Sequence, residues 1–192
     1  MKSVFELEPL TQIIRNSYIL SYPYLVGYFE KDVFSVADVV RGAHMVYGWM
    51  PTILELNPDM AAGGFGEAAR VVTQARSTGI ISDRDLTVLS EVINNSLVGA
   101  SKLLHFAAPH HFAIWDSNTY SFVFGERPHA YRLNKVDSYR AYLKKLTDLQ
   151  SDSRFKSFHE SVNTKIGYDV SPLRALELVM YVNAPRARTA DA

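Results

Sequence analysis

The amino-acid sequence predicts an all-α fold with about eight helices. Apolar residues recur every three or four positions in five segments, which is the pattern of helices that bury one face. Three of these segments follow a serine that can act as an N-cap, namely Ser35, Ser82 and Ser171. Alternation with a period of two, which is typical of strands, is weak and confined to residues 18–28, where two aromatic-rich turns surround Pro23.

The apolar stripes place the five clearest helices in order along the chain. They cover residues 36–50, 65–75, 86–93, 139–149 and 173–180. Gly79 ends the second stripe, and Pro172 stands at the first position of the last helix, where proline is favoured. Two further apolar segments, 98–107 and 118–124, lie between the third and fourth stripes.

The length of 192 residues and the hydrophobic content of 47% predict one folded domain. Residues 1–97 and 98–183 are its candidate lobes. Residues 184–192, which contain Pro185 and two arginines, are expected to form a loose tail.

The composition excludes several classes of site. The chain has no cysteine, which rules out disulfides, cysteine-based zinc sites, iron–sulfur clusters and thiol nucleophiles. No apolar run approaches the roughly 20 residues that span a membrane, and the first residues lack the layout of a signal peptide. We therefore expect a cytoplasmic monomer that binds no membrane and needs no cofactor.

The net charge of zero is unevenly distributed. Residues 1–97 carry 7 basic and 11 acidic side chains, whereas residues 98–192 carry 13 basic and 9 acidic ones. A neutral total argues mildly against a polyanionic partner, but the excess in the second half permits a basic face there.

Lys102 is the first candidate catalytic residue. It lies within the mainly apolar segment 98–107, where a lysine is unusual because this side chain is rarely buried without a partner. A desolvated lysine gives up its proton more easily and becomes an amine nucleophile. The alternative is a lysine that merely extends from the helix edge to solvent.

Asp116 is the second candidate catalytic residue. It follows an apolar stretch and precedes Ser117-Asn118, which is typical of the start of a helix, where the dipole favours a negative charge. A purely structural N-cap is the alternative. A lysine on one helix and an aspartate at the start of the next can meet in one cleft.

The residues between 97 and 120 resemble the core of the helix-hairpin-helix DNA glycosylases, particularly the 8-oxoguanine branch. In that family a glycine-containing hairpin leads to a catalytic lysine, and the start of the next helix supplies a catalytic aspartate. The matching positions are Gly99 for the hairpin, Lys102 and Asp116. The family usually has two hairpin glycines, whereas Gly99 stands alone. The resemblance implies a compact two-lobed bundle with a central cleft and a partner that is DNA with a damaged or modified base.

The resemblance also implies a mechanism. Asp116 stabilises an oxocarbenium-like transition state, and Lys102 attacks the anomeric carbon to form a Schiff base that permits strand cleavage. The target base leaves the stack and enters a pocket. Such an enzyme suits DNA repair or defence against phage DNA. Candidates for the base pocket or for DNA contacts are Trp49, Tyr47, Phe65, Gly99, Ser101, His105, His110, Trp115, Asn118 and Tyr120.

Two other functions stay open at the level of sequence. A metal-dependent hydrolase would use His105, His110, His111 and Asp116, although these histidines lack the spacing of a helical zinc site. A non-catalytic all-α interaction protein would use the segment 98–107 only as packed core.

Overall fold

The structure is a computed structural model that describes residues 3–50 and 52–185, and the predicted all-α class is confirmed over these ranges. Its only β contact there is an antiparallel bridge between Leu56 and Ile93. None of the described helices is both long enough and apolar enough to cross a membrane. Eleven α-helices are formed in the described ranges: α1 (Val4–Leu7), α2 (Ser17–Tyr28), α3 (Val36–Trp49), α4 (Gly64–Thr78), α5 (Asp83–Val92), α6 (Leu97–Ala107), α7 (Ser117–Phe124), α8 (Ala130–Leu133), α9 (Val136–Gln150), α10 (Phe155–Ile166) and α11 (Pro172–Val182).

The described chain has more helices than the eight or so that the sequence predicts. The five stripes correspond to α3, α4, α5, α9 and α11, and the two apolar segments between them correspond to α6 and α7. Two extra helices, α1 and α8, are single turns of four residues. A third extra helix, α10, buries only Phe158, Val162 and Ile166, so its apolar stripe is too sparse to be recognised in the sequence.

Helix α2 is the main difference between the sequence pattern and the structure, because it runs through Pro23 without a break. Proline has no N–H to donate to the carbonyl four residues earlier, which here belongs to Ile19. The hydroxyl of Tyr168 donates to that carbonyl instead, at 2.6 Å. The helix is therefore completed by a residue distant in sequence, which the local pattern around Pro23 does not reveal.

Two groups of helices make the most extensive contacts. Helices α3, α4, α5 and α6 pack against one another, and α11 contacts α1, α7, α9 and α10. The buried apolar residues of both groups form one hydrophobic core. Helix α6, which begins at the boundary between the candidate lobes, packs with α3–α5, and α1 packs with α11.

The last described residues pack against the beginning of the chain. The Asn183 amide nitrogen donates to the Thr11 hydroxyl and to the Val179 carbonyl, both at 2.8 Å. Ala184 is buried. The expected loose tail thus starts at a packed residue, and its remainder, residues 186–192, lies outside the described residues.

The bond from Tyr168 to Ile19 gives a stability prediction. We expect Tyr168→Phe to lower the free energy of unfolding by about 1 kcal/mol, because the Ile19 carbonyl loses its donor. In a Pro23→Ala background the loss should be smaller, because the new backbone N–H at position 23 can donate to the same carbonyl. Urea denaturation of the four proteins measures this coupling. Tyr24→Phe on the exposed side of α2 is the control and should have no effect. An equal loss in both backgrounds would contradict the assignment.

Candidate active site

A buried segment without regular secondary structure leads to Asp116. Each residue from 112 to 115 is at most 2% exposed, so its backbone polar groups need partners inside the protein. Side chains of α6 and α9 supply them. His105 Nδ1 donates to the Phe112 carbonyl at 2.8 Å, the Tyr139 and Tyr142 hydroxyls donate to the Ala113 and Ile114 carbonyls at 3.1 Å each, and the Trp115 amide donates to the Ser101 hydroxyl at 3.1 Å. These bonds fix the start of α7.

Asp116 is the N-cap of α7. Its Oδ1 accepts hydrogen bonds from the backbone N–H groups of Asn118 and Thr119, both at 2.9 Å, and from the Thr119 hydroxyl at 3.2 Å. Within the described residues, every hydrogen bond to this carboxylate goes to Oδ1. The cap therefore holds the side chain in place and leaves Oδ2 available to another partner.

Lys102 lies in the second turn of α6 and is half-buried. Its amine makes no hydrogen bond and no ion pair with any residue that the structure describes. Burial lowers the pKa of Lys102, because desolvation disfavours the charged form. The negative charges of Asp116 and Glu177 oppose this shift, and the positive charge of Arg174 adds to it. The amine is therefore desolvated and lies within the electrostatic influence of two carboxylates.

Lys102 and Asp116 line the same cavity, which has a volume of about 470 Å³. This volume lies within the range of roughly 300–1,000 Å³ that is typical of small-molecule sites. The walls come from α6, the start of α7, α11, the end of α3, the first turn of α2 and the segment before it. The residues that surround the pair are Gln12, Ile13, Ile14, Asn16, Tyr18, Ile19, Trp49, Met50, Ile114, Asn118, Arg174, Glu177, Leu178, Tyr181, Val182 and Ala184.

A buried ion pair on α11 forms part of the cavity wall. Arg174 is 5% exposed and Glu177 is 1% exposed, and the guanidinium Nη1 binds the carboxylate Oε2. The guanidinium also lies 4.8 Å from the ring centre of Tyr22 and 5.8 Å from that of Trp49. A buried charge of either sign is costly unless it is paired, so each residue of the pair needs the other.

The Tyr22 ring beneath Arg174 is held by His105. The Tyr22 hydroxyl lies 2.7 Å from His105 Nε2, while Nδ1 of the same imidazole lies 2.8 Å from the Phe112 carbonyl. Because a carbonyl only accepts, Nδ1 carries the proton and Nε2 accepts from Tyr22. Burial, reinforced by Arg174, lowers the pKa of His105 to about 3, so this imidazole is neutral. His105 thus connects the support of Arg174 to the segment before Asp116.

The structure brings four of the residues proposed from the sequence into one cavity: Lys102, Asp116, Trp49 and Asn118. Trp49 contacts Tyr18 edge to face with ring centres 5.6 Å apart, and its indole N–H donates to the Tyr18 carbonyl at 3.2 Å. The remaining candidates for the base pocket or DNA contacts do not line this cavity.

Most of those remaining candidates are packed in the core. Ser101 and His105 bind the backbone of the 112–115 segment. Trp115 is the last residue of that segment, and its indole N–H donates to the Leu133 carbonyl at 2.9 Å. Tyr47 and Tyr120 are each 4% exposed. Phe65 packs against the core at the start of α4, and His110 is exposed after α6.

Gly99 does not occupy the turn that its match to the family hairpin requires. It lies in the first turn of α6, where an added Cβ would collide with the Tyr47 hydroxyl. The turn before α6 is made by Asn94 and Asn95, whose φ angles are 55° and 44°. Asparagine tolerates this left-handed conformation better than most residues, so the turn forms without glycine.

The three histidines and Asp116 do not form a metal site. Both ring nitrogens of His105 are engaged in the core, and His110 and His111 are exposed. Among the described residues, no group of three or more histidine, cysteine, aspartate or glutamate side chains could hold a metal ion. The metal-dependent hydrolase therefore has no site in this part of the chain.

Arg174 and Glu177 are the charged residues of the cavity that the sequence pattern did not identify. The apolar stripe of α11 predicts a buried helix, as the structure shows, but it does not indicate a function for the two charged residues in that helix. A usable signal was present, because Arg174 and Glu177 are the only charged residues of Pro172–Val182. Like Lys102, they are charged side chains in an otherwise apolar helix, where burial without a partner or a function is rare.

Comparison of the chain with protein-family models, with curated proteins and with solved structures gave no match. The interpretation of the cavity therefore depends on its own geometry and chemistry.

Burial of Glu177 predicts a specific dependence of stability on pH. Desolvation raises the pKa of Glu177 to about 7 from its usual 4.5, although the charge of Arg174 opposes this shift. Between these two values the folded protein binds more protons than the unfolded chain. Glu177 therefore makes the free energy of unfolding fall as the pH rises from 4.5 towards 7.

We expect Glu177→Gln to make this fall less steep. The measurement is urea denaturation of both proteins at several pH values across the window, with Glu160→Gln on the exposed surface of α10 as the control. The control should keep the wild-type slope. If Glu177→Gln also keeps that slope, Glu177 does not titrate in this window.

Proposed function

We propose that this protein is a DNA glycosylase with associated lyase activity, which excises a damaged or modified base. One observation carries the proposal: an unpaired, desolvated lysine and a helix-capping aspartate line the same cavity. The segment around Lys102 and Asp116 also resembles the helix-hairpin-helix DNA glycosylases, although its hairpin glycine is not in the turn.

The arrangement of Asp116 suits cleavage of an N-glycosidic bond. As that bond breaks, positive charge develops on the sugar, and a fixed carboxylate close to the anomeric carbon stabilises it. The α7 amides hold Oδ1 of Asp116, so Oδ2 can face a substrate without reorganisation of the side chain. Preorganisation of this kind is a major source of catalysis.

The environment of Lys102 suits nucleophilic attack. A neutral amine can form a bond to the anomeric carbon while the base departs with the electrons of the glycosidic bond and takes up a proton. Opening of the sugar ring then leaves a Schiff base between Lys102 and the DNA. An ammonium group cannot attack, so the lowered pKa and the lack of an ion pair both favour this role.

The remaining walls suit a planar group taken out of the DNA stack. Trp49, Tyr18 and Tyr181 supply aromatic surface, and Arg174 and Glu177 supply a hydrogen-bond donor and an acceptor. Four charged side chains around one cavity are costly to desolvate, which favours a function that uses these charges over a role in packing alone.

Trapping with borohydride tests Lys102 directly. We expect wild-type protein and DNA with an abasic site to form a covalent adduct in the presence of sodium borohydride, because hydride reduces the Schiff base. Lys102→Ala should reduce the adduct at least 100-fold, as seen on denaturing gels. Abasic DNA is the appropriate probe because its aldehyde reacts with the amine whatever base the enzyme removes.

The matched control is Lys145→Ala, which removes an exposed lysine of α9. It should trap abasic DNA as efficiently as the wild type. Mass spectrometry of the adduct identifies the lysine attached to DNA. An adduct that persists in Lys102→Ala would exclude Lys102 as the nucleophile.

Substitution of Asp116 separates bond cleavage from Schiff-base formation. Asp116→Asn should lower the rate of base release by about 100- to 1,000-fold, because the charge that stabilises the transition state is lost. Asparagine is also a good N-cap, so the fold should be retained. Trapping of abasic DNA should largely survive, since that substrate has no glycosidic bond to break.

Base release is measured by mass spectrometry of bases freed from oxidised, alkylated and deaminated DNA. Asp137→Asn is the control, because Asp137 is an exposed carboxylate in the first turn of α9. Undiminished base release by Asp116→Asn would remove Asp116 from the mechanism.

A further inference from the structure

Two carboxylates act electrostatically on Lys102, yet neither forms an ion pair with it. Asp116 and Glu177 both line the cavity with Lys102, and both of their charges favour its protonated form. A lysine paired with a carboxylate would be held as an ammonium ion and could not attack a substrate. The lack of such a pair among the described residues therefore needs a physical cause.

The cause differs for the two carboxylates. Asp116 directs Oδ1 to the backbone N–H groups at the start of α7, so the helix competes with Lys102 for its charge. Glu177 is bound by Arg174 from the preceding turn of α11. Each carboxylate therefore already has a partner of positive character.

Arg174 has a second contact in addition to Glu177. Its guanidinium lies over Tyr22, whose hydroxyl is fixed by His105. Further hydrogen-bonding atoms of Arg174, Nε and Nη2, and Oε1 of Glu177 have no partner among the described residues, although both side chains are more than nine-tenths buried and line the cavity. Arg174 and Glu177 thus form a fixed ion pair in the wall of the cavity that Lys102 also lines.

We propose that Arg174 is a positioning residue that occupies Glu177 and so keeps the Lys102 amine free to act as a nucleophile. This inference rests on the proposed function in assigning that use to the amine. Arg174 acts in two ways: it withdraws Glu177 from an ion pair with Lys102, and its own positive charge disfavours a second one nearby.

The groups that face Lys102 come from several elements. Asp116 belongs to the start of α7, Arg174 and Glu177 belong to α11, and the tyrosines of the cavity are Tyr18 on α2 and Tyr181 on α11. Of these groups, only Asp116, Arg174 and Glu177 act on the pKa of Lys102 through their charges. Asp116 is unchanged in the variants below. Differences between these variants therefore report on the α11 pair.

The proton affinity of Lys102 can be measured without DNA. Brief reductive methylation with formaldehyde and cyanoborohydride modifies only neutral amines, so the extent of labelling against pH gives a midpoint for each lysine. The protein is labelled while it is folded and is then digested. Mass spectrometry of the peptides quantifies the labelling of Lys102, with Lys145 as an internal reference. The proteins are the wild type, Arg174→Met, Glu177→Gln and the double variant Arg174→Met/Glu177→Gln.

We expect Arg174→Met to raise the Lys102 midpoint by about one pH unit, because Glu177 becomes free to bind the ammonium ion. Glu177→Gln should lower it by a similar amount, because Arg174 then repels the ammonium ion without compensation. The Lys102 midpoint of the double variant should lie between those of the two single variants. The double variant also replaces a single variant that fails to fold, because neither member of the pair is left buried with an unpaired charge. Lys145 should keep one midpoint throughout.

The inference is overturned if the Lys102 midpoint is the same in all folded variants, or if Arg174→Met lowers it. A purely structural role for the pair predicts the first of these results. Failure of this inference about Arg174 is distinct from failure of the proposed function. Midpoints in the expected order without borohydride trapping of abasic DNA would reject Schiff-base formation by Lys102 and retain the role of Arg174. Trapping on Lys102 with identical midpoints in all variants would support the nucleophilic role of Lys102 and reject the positioning role of Arg174.

Discussion

The candidate active site depends on one constraint: a non-helical segment runs through the core, and its backbone polar groups must be satisfied there. An unpaired buried carbonyl or amide costs about 1–3 kcal/mol. Residues 112–115 avoid that cost because His105, Ser101, Tyr139 and Tyr142 bind them one by one. These bonds determine where α7 begins, and hence where Asp116 lies relative to Lys102 on the neighbouring helix. The polar side chains of α6 and α9 that look misplaced in a core are thus the ones that locate the carboxylate.

Charge balance is the second requirement of the cavity. Lys102 and Arg174 are cationic groups and Asp116 and Glu177 are anionic ones, so the four can be desolvated together without a large net charge. The balance is not made of four equal partners, since Arg174 and Glu177 are paired and Asp116 is bound by helix amides. Lys102 is the remaining member. A buried group that is left without a strong partner is where chemistry with a substrate can occur.

The sequence was sufficient for the fold class and for part of the site. Periodicity located the long helices, and Lys102 and Asp116 stood out because each breaks an apolar pattern. Arg174 and Glu177 break a pattern in the same way, but the apolar stripe of α11 by itself predicts only a buried helix. The course of α2 was not predictable locally, because Tyr168, from a distant part of the chain, supplies the hydrogen bond that Pro23 cannot. The family resemblance predicts Gly99 in the hairpin before the catalytic lysine, whereas Asn94 and Asn95 form the turn before α6. These cases have a common cause: tertiary partners decide conformations for which sequence patterns give only a local preference.

The bonds to the 112–115 segment also affect how the site forms during folding. Tyr139 and Tyr142 lie 26 and 28 residues beyond the carbonyls that they bind, so α9 must dock before the segment is satisfied. The helices that carry Lys102 and Asp116 can form early from local contacts, but their relative position requires closure of this long loop. Opening the segment exposes several core side chains at once, which couples it to the unfolding of the whole core rather than to a local fluctuation. Detachment of α9 would therefore remove two of the hydrogen bonds that position Asp116 relative to Lys102.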